Sequence, residues 1–221
     1  GWELAPVDRA AGGLVTSVDG LLKWARFHLG GRAGLLSQES LDRMHEPLVW
    51  LDRFTGIGLD WFVQGRAADH GGLTVGYCST LVLVPDADVA VVCLTHATNG
   101  AAVNQAIRRW ALAELAGIVE RDHEPDPDLA IDVARFEGRF LYPFAQLTIT
   151  AGEQPNTLLV TSSQREDVDG WRPPPAPPMT MGFVDERHAV TLDAPGPQLC
   201  SQFGFGEDGR AAWLTWSSRR A

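Results

Sequence analysis

A chain of 221 residues with 45% apolar side chains is long enough to bury a sizeable core, and its length accommodates one large domain or two small ones. Its 28 acidic and 18 basic residues leave a net charge of -10, with no basic run beyond Arg108-Arg109 and Arg219-Arg220, which argues against nucleic acid as a partner. No apolar stretch reaches the roughly 18 to 20 residues that span a bilayer, so no membrane span is expected in these residues.

The chain starts at Gly1 rather than Met and enters a patterned segment almost at once, which reads as the C-terminal part of something longer. No basic-then-apolar leader is present at this start, but with an upstream part missing that leaves export open. Cys78, Cys93 and Cys200 form neither CxxC nor a zinc-like Cys/His spacing, and they read as small core residues. Their odd number favours a reducing, cytoplasmic compartment.

The first helix is marked by Thr16-Ser17-Val18-Asp19, a hydroxyl N-cap with a carboxylate three residues on, able to serve the N–H groups of the first turn. Val18, Leu21, Leu22, Ala25 and Leu29 then share one face, and Gly30-Gly31 stops the helix. A short second helix is expected from Ser37 to about Met44, with Pro47 beyond it. Strand-like runs follow at Ile57 to Gln64, Leu73 to Val84 and Val89 to Thr95. Their short joins require antiparallel pairing, because a parallel return needs a crossover of about a dozen residues. A helix capped near Asn99 carries Val103, Ala106, Ile107, Trp110 and Leu115 at helical spacing.

Residues 117 to 130 lose this periodicity and collect Glu120, Asp122, Glu124, Asp126 and Asp128 around Pro125 and Pro127, the composition of a solvated linker. Seven short strand-like runs follow: Arg139 to Tyr142, Leu147 to Thr150, Leu158 to Thr161, Met179 to Val184, His188 to Leu192, Leu199 to Phe205 and Ala211 to Trp216. They predict a small antiparallel barrel, lipocalin-like, or a sandwich. The proline-rich run from Trp171 to Pro178 reads as a stiff loop between strands, with a recognition ligand as the alternative. The expected fold is therefore α+β: residues 1 to 117 form an antiparallel sheet with packed helices, 118 to 130 a linker, and 131 to 221 an all-β domain.

The stretch Asp69-His70-Gly71-Gly72-Leu73-Thr74-Val75-Gly76-Tyr77 is the most informative one for chemistry. Paired glycines weaken a strand, so something must approach its backbone closely. A substrate aligned along the strand satisfies that need, and a histidine at the entrance supplies a hydrogen-bonding or proton-donating group near neutral pH. A bulge or bend with a solvent-facing histidine is the other reading.

The ordered set Ala11-Gly12-Gly13-Leu14-Val15-Thr16-Ser17-Val18-Asp19-Gly20-Leu21, Gly34-Leu35-Leu36-Ser37, Gly56-Ile57-Gly58-Leu59-Asp60-Trp61 and His70-Gly71-Gly72 with Gly76 resembles the C-terminal half of the serine β-lactamase-like hydrolases. This family comprises class C β-lactamases, penicillin-binding-protein-like enzymes, D-amino-acid peptidases and esterases. His70-Gly71-Gly72 matches the His-x-Gly form of the family's third active-site element. The resemblance implies that His70 faces the substrate and that Gly71, Gly72 and Thr74 belong to the strand along which it lies. It also implies that the backbone N–H of Leu73 is one of two oxyanion-hole donors, whose dipoles are fixed before charge develops.

Two elements of that family are absent. Lys23 is the sole lysine and has Gly20 three residues before it, so there is no Ser-x-x-Lys, and Tyr77 and Tyr142 start no Tyr-x-Asn. Both elements precede the third in the family, so loss of an upstream part explains both absences. Phe136-Glu137-Gly138-Arg139-Phe140 and Trp213 resemble, less specifically, the small β-barrel appended to some members. Other hydrolase, metal and cofactor motifs are absent, so neither cofactor nor metal is expected. Cys78 reads as core, His96 as surface or structural, and the tryptophans mostly as packing residues. Two functions remain open: a serine hydrolase acting on a small-molecule or peptide substrate, and a non-catalytic binding or scaffold protein. Neither the substrate nor the oligomeric state is legible.

Overall fold

The computed structural model describes residues 9–30, 35–74, 76–97, 99–142, 145–164, 176–193, 198–216 and 219–220. Gly34, Val75 and most of the proline-rich run, residues 171–175, lie outside the described residues. Two compact units are present, one made of Gly1–Trp50 and Thr55–Arg121, the other of Leu51–Phe54 and Asp122–Ala221. Each carries its own antiparallel sheet, and the architecture is α+β with a barrel-like second sheet.

The first unit begins with a single turn of helix, α1 (Arg9–Gly12), and continues with α2 (Val18–His28) and α3 (Gln38–Met44). Ser17 caps α2 by accepting from the Gly20 N–H, and Ser37 caps α3 by accepting from the Ser40 N–H. These hydroxyls satisfy N–H groups that have no partner inside the helix. Six strands follow: β1 (Val49–Trp50), β2 (Gly56–Ile57), β3 (Phe62–Gln64), β4 (Ala67–Thr74), β5 (Tyr77–Val84) and β6 (Val89–Thr95), each antiparallel to the next. The long helix α4 (Gly100–Ala116) completes the unit.

The expected strand from Ile57 to Gln64 is a hairpin, β2 and β3, turning through Asp60 at φ 65°. The run Leu73 to Val84 is likewise broken, because Gly76 at φ 78° lets β4 turn into β5. Apolar residues stand on both sides of Asp60 and of Gly76, so each run reads as one strand although it reverses at those positions.

The two faces of this sheet bury different sets. Ala25 of α2 packs with Trp61, Val63, Ala68, Leu81 and Leu83, whereas Ala111 and Leu112 of α4 pack with Ala67, Val82, Val84, Val91 and Cys93. Alternation along β4 and β5 produces this division, since neighbouring residues point to opposite faces. The buried side of α4 is not the apolar stripe that marks it as a helix. Val103, Ile107, Trp110 and Leu115 are exposed, and Asn104 and Arg108 are turned toward the sheet. Trp50 and Trp110 are also exposed, and Trp24 is partly so, whereas Trp61 is buried and Trp216 packs against the core of the second sheet.

The second unit is an eight-stranded meander in which β7 (Gly138–Leu141), β8 (Ala145–Ala151), β9 (Thr157–Gln164), β10 (Met179–Phe183), β11 (His188–Thr191), β12 (Cys200–Phe205), β13 (Ala211–Trp216) and β14 (Arg219–Arg220) pair in sequence order. The Tyr142 hydroxyl donates to the Trp216 carbonyl, joining the end of β7 to the end of β13 and drawing the sheet toward closure. Phe136 lies at the centre, edge-on to Phe183 at 4.6 Å and to Phe203 at 5.1 Å. Phe140, Leu147, Ile149, Leu158, Met181 and Leu214 complete a core of packed side chains. The acidic stretch is tied to this sheet: Asp126 N–H donates to the Phe183 carbonyl, and Asn156 Nδ2 donates to the Leu129 carbonyl.

Candidate active-site strand

β4 is held by neighbours along only part of its length. Its pairs with β3 are Gln64↔Ala67, Val63↔Ala68 and Phe62↔Asp69, and β3 reaches no further. On the other side, β5 accompanies it to the end through His70↔Leu81, Gly71↔Thr80, Gly72↔Ser79, Leu73↔Cys78 and Thr74↔Tyr77. Residues 70 to 74 therefore have a partner on one edge, and among the described residues no strand pairs with the other.

The hydrogen-bonding direction of that free edge follows from the two turns. Gln64↔Ala67 and Thr74↔Tyr77 each flank a two-residue connection, and such closing pairs exchange both backbone bonds. Counting by twos from Thr74 directs the N–H and C=O of Gly72 and His70 toward β5. Counting from Ala67 directs those of Asp69 toward β3. Both counts agree that Gly71 and Leu73 present their N–H and C=O groups to the open side, beyond the end of β3. His70, Gly71, Gly72 and Leu73 are exposed and Thr74 is half-buried.

The sequence-derived residues are thus contiguous on one strand, but the two glycines differ. A Cβ at Gly71 would meet its nearest neighbour, the Ser79 carbonyl, at 3.4 Å, an ordinary contact. A Cβ at Gly72 would stand 2.6 Å from Ser79 Oγ, so the Ser79 hydroxyl fills the space above this glycine. The imidazole of His70 stacks against Phe62 at 6.0 Å, and His96 stacks on Tyr77 at 4.4 Å beside the β4–β5 turn.

Behind the strand lies a charge cluster that sequence reading missed. Arg108 Nη1 donates to Asp69 Oδ2 at 2.6 Å, its Nη2 and Nε donate to Glu120 at 2.8 and 3.0 Å, and its Nη2 also reaches Gln64 Oε1 at 3.3 Å. The side chains of Arg108, Asp69 and Glu120 are only 9%, 14% and 18% exposed. Burial pushes the Asp69 carboxyl up, and the Arg108 guanidinium opposes that shift. For Arg108, burial works against the cation, but Asp69 and Glu120 outweigh it and hold the charge in place. The available signal was positional: Arg108 lies four residues after Asn104, on the face of α4 that meets the sheet.

A second pair, of the buried His28 and the half-buried His45, joins the ends of α2 and α3. His28 Nδ1 and His45 Nε2 are 3.1 Å apart, and His28 is enclosed by Trp24 and Trp61 at 4.5 and 4.9 Å. Burial, helped by His45, lowers the His28 pKa to about 4, and burial lowers that of His45 as well, with Asp42 opposing. Among the described residues no group of three or more His, Cys, Asp or Glu side chains is placed to hold a metal ion.

The Beta-lactamase family model matches residues 1–115, just over half of the 221 residues. The chain belongs to the β-lactamase family. The crystal structure of SurE with D-Leu is similar to it, with a TM-score of 0.63 and 23% identity, covering 96% of this chain and 51% of that one. A second crystal structure of SurE matches equally well, covering 96% of this chain and 49% of that one. An octameric penicillin-binding protein homologue from Pyrococcus abyssi is more distant, with a TM-score of 0.43 and 17% identity over 93% of this chain and 46% of that one. No curated protein matches significantly. This β-lactamase-family chain therefore shares its fold with SurE over nearly its whole length, and it spans about half the length of those solved relatives.

Proposed function

We propose that this chain is the C-terminal part of a serine hydrolase that acts on a small amide, ester or β-lactam through an acyl-serine intermediate. The nucleophile comes from a Ser-x-x-Lys element outside these residues. The observation that carries this reading is the open edge of β4, where Gly71 and Leu73 present backbone groups beside the exposed His70. An extended substrate lying along that edge gains backbone hydrogen bonds, and the Leu73 N–H supplies one donor of an oxyanion hole. His70 acts at the mouth of that site, as a hydrogen-bond donor or proton carrier. Gly72, Gly71 and Thr74 border the substrate.

Family membership over residues 1–115 supports the reading, as does the greater length of the solved relatives. The test is covalent labelling by a fluorophosphonate or penicillin probe. A full-length protein carrying Ser-x-x-Lys becomes labelled on that serine, whereas this chain alone turns over neither nitrocefin nor a nitrophenyl ester. Absence of labelling in the full-length protein, together with retained binding of a ligand, would favour a non-catalytic binding or scaffold protein instead.

A further inference from the structure

The free edge of β4 poses a mechanical problem. Residues 70 to 74 include two glycines and, among the described residues, have a strand on one side only, so backbone freedom works against the fixed donor geometry that oxyanion stabilisation requires. The far end is held by the Thr74↔Tyr77 closure and by the stack of Tyr77 on His96. The near end is Asp69, the last residue that β3 pairs, and its carboxylate receives the 2.6 Å bond from Arg108. The same guanidinium reaches Gln64, which closes the β3–β4 turn, and Glu120, which follows α4.

We propose that Arg108 is a positioning residue for this site: by binding Asp69 and Gln64 at once it fixes the point from which the unpaired edge of His70 to Leu73 departs. The proposal rests on the acyl-serine reading for its catalytic consequence, but its structural half stands without it. Arg108 touches neither substrate nor the reacting atoms, and it acts through Asp69. A planar cation with donors on several sides suits this junction, because a single side chain must bond two carboxylates and an amide oxygen. Its burial makes the geometry stringent, since no water substitutes for a lost partner at the same cost.

The experiment uses three variants. Arg108→Met removes the cation and keeps the bulk, Arg108→Lys restores a charge, and Leu112→Ala truncates a fully buried side chain on the same helix as a control for lost stability. In the full-length protein, the second-order rate of fluorophosphonate labelling is measured well below the melting temperature. Arg108→Met is expected to slow labelling roughly ten- to a hundredfold, as small displacements of catalytic groups do. Arg108→Lys recovers part of that loss, and Leu112→Ala changes the rate less than about threefold. Equal slowing by Arg108→Met and Leu112→Ala overturns the proposal, leaving Arg108 as a stabilising residue only.

In this chain alone, the amide resonances of Gly71 and Leu73 and the hydrogen-exchange rates of His70 and Gly72, whose N–H groups point toward β5, provide the second arm. Arg108→Met is expected to shift the first pair and speed exchange of the second, while Leu112→Ala leaves both in place. Unchanged amides in Arg108→Met overturn the proposal whatever the labelling result. An unlabelled wild-type protein whose amides still respond to Arg108→Met defeats the acyl-serine reading and leaves the positioning role intact.

Discussion

Ser79 Oγ occupies the space that a side chain at Gly72 would need, 2.6 Å from where its Cβ would stand. The pair faces across β4 and β5, and a serine hydroxyl can turn away, so the conflict at Gly72 is met by a rotamer change rather than a backbone shift. Gly72→Ala is expected to cost about 1 kcal/mol, the scale of one displaced rotamer. The double variant Gly72→Ala with Ser79→Ala should regain most of that loss, because the Ser79 Cβ would lie 3.9 Å away. Denaturant unfolding of the four proteins forms a double-mutant cycle, and additive losses would show that the two sites are not in conflict.

His70→Ala should separate function from stability. The side chain is exposed, so the melting temperature is expected to move little. Acylation of the full-length protein should fall roughly ten- to a thousandfold, the range of general acid–base and electrostatic groups. Stopped-flow acylation and thermal denaturation together decide the case. A lower melting temperature with unchanged acylation would make His70 structural and overturn the proposed placement of β4 at the active site.

Arg108→Met should destabilise the first unit by about 3 to 5 kcal/mol at neutral pH, the usual result of stripping one partner from a buried ion cluster. Asp69 already has its pKa raised by burial, and loss of the guanidinium removes the main influence that opposes the shift. An acid whose pKa is higher folded than unfolded favours the fold when protonated, and that contribution is lost as pH rises through the folded pKa. The deficit relative to wild type should therefore shrink between pH 7 and pH 5. Urea midpoints at both pH values measure it, and a constant deficit would place the cost elsewhere.

The His28 and His45 pair should make the fold sensitive to mild acid. Burial holds the His28 pKa near 4, against 6.5 for a free imidazole. The unfolded chain therefore binds a proton that the folded chain refuses, and stability present above pH 6.5 is lost progressively toward pH 4, by roughly 3 kcal/mol for this residue. His28→Phe keeps an aromatic ring against Trp24 and Trp61 and removes the titration, so its stability should fall less between pH 7 and pH 5. Equal slopes in the two proteins would refute the assignment.

Phe136→Ala tests the barrel-like unit. Its ring is buried and meets Phe183, Phe203 and Phe205 at 4.6, 5.1 and 5.3 Å. The truncation should cost about 3 to 5 kcal/mol, as large-to-small changes of core aromatics do. Near-ultraviolet circular dichroism and calorimetry report it, and a loss below about 1 kcal/mol would mean that the barrel core relaxes into the cavity.

Features with local causes are legible in the amino-acid sequence. Ser17 and Ser37 cap helices because a hydroxyl beside a free N–H needs no distant partner, and the alternating runs from Gly138 onward become strands because β-branched and aromatic side chains suit a pleated surface. The ordered glycine and histidine motifs carried the family resemblance for a similar reason, since they are backbone requirements written in consecutive residues. Which edge of β4 stays open emerges only on folding, because it depends on where β3 stops. Folding also decides which side of α4 is buried: Val103, Ile107 and Trp110 advertise a helix but face outward, while Asn104 and Arg108 meet the sheet. Arg108 and Asp69 are 39 residues apart, and no periodicity links positions whose contact is created only when helix and sheet pack. Buried charge is tolerated there because three partners converge on one guanidinium, and convergence is a property of folded space rather than of sequence.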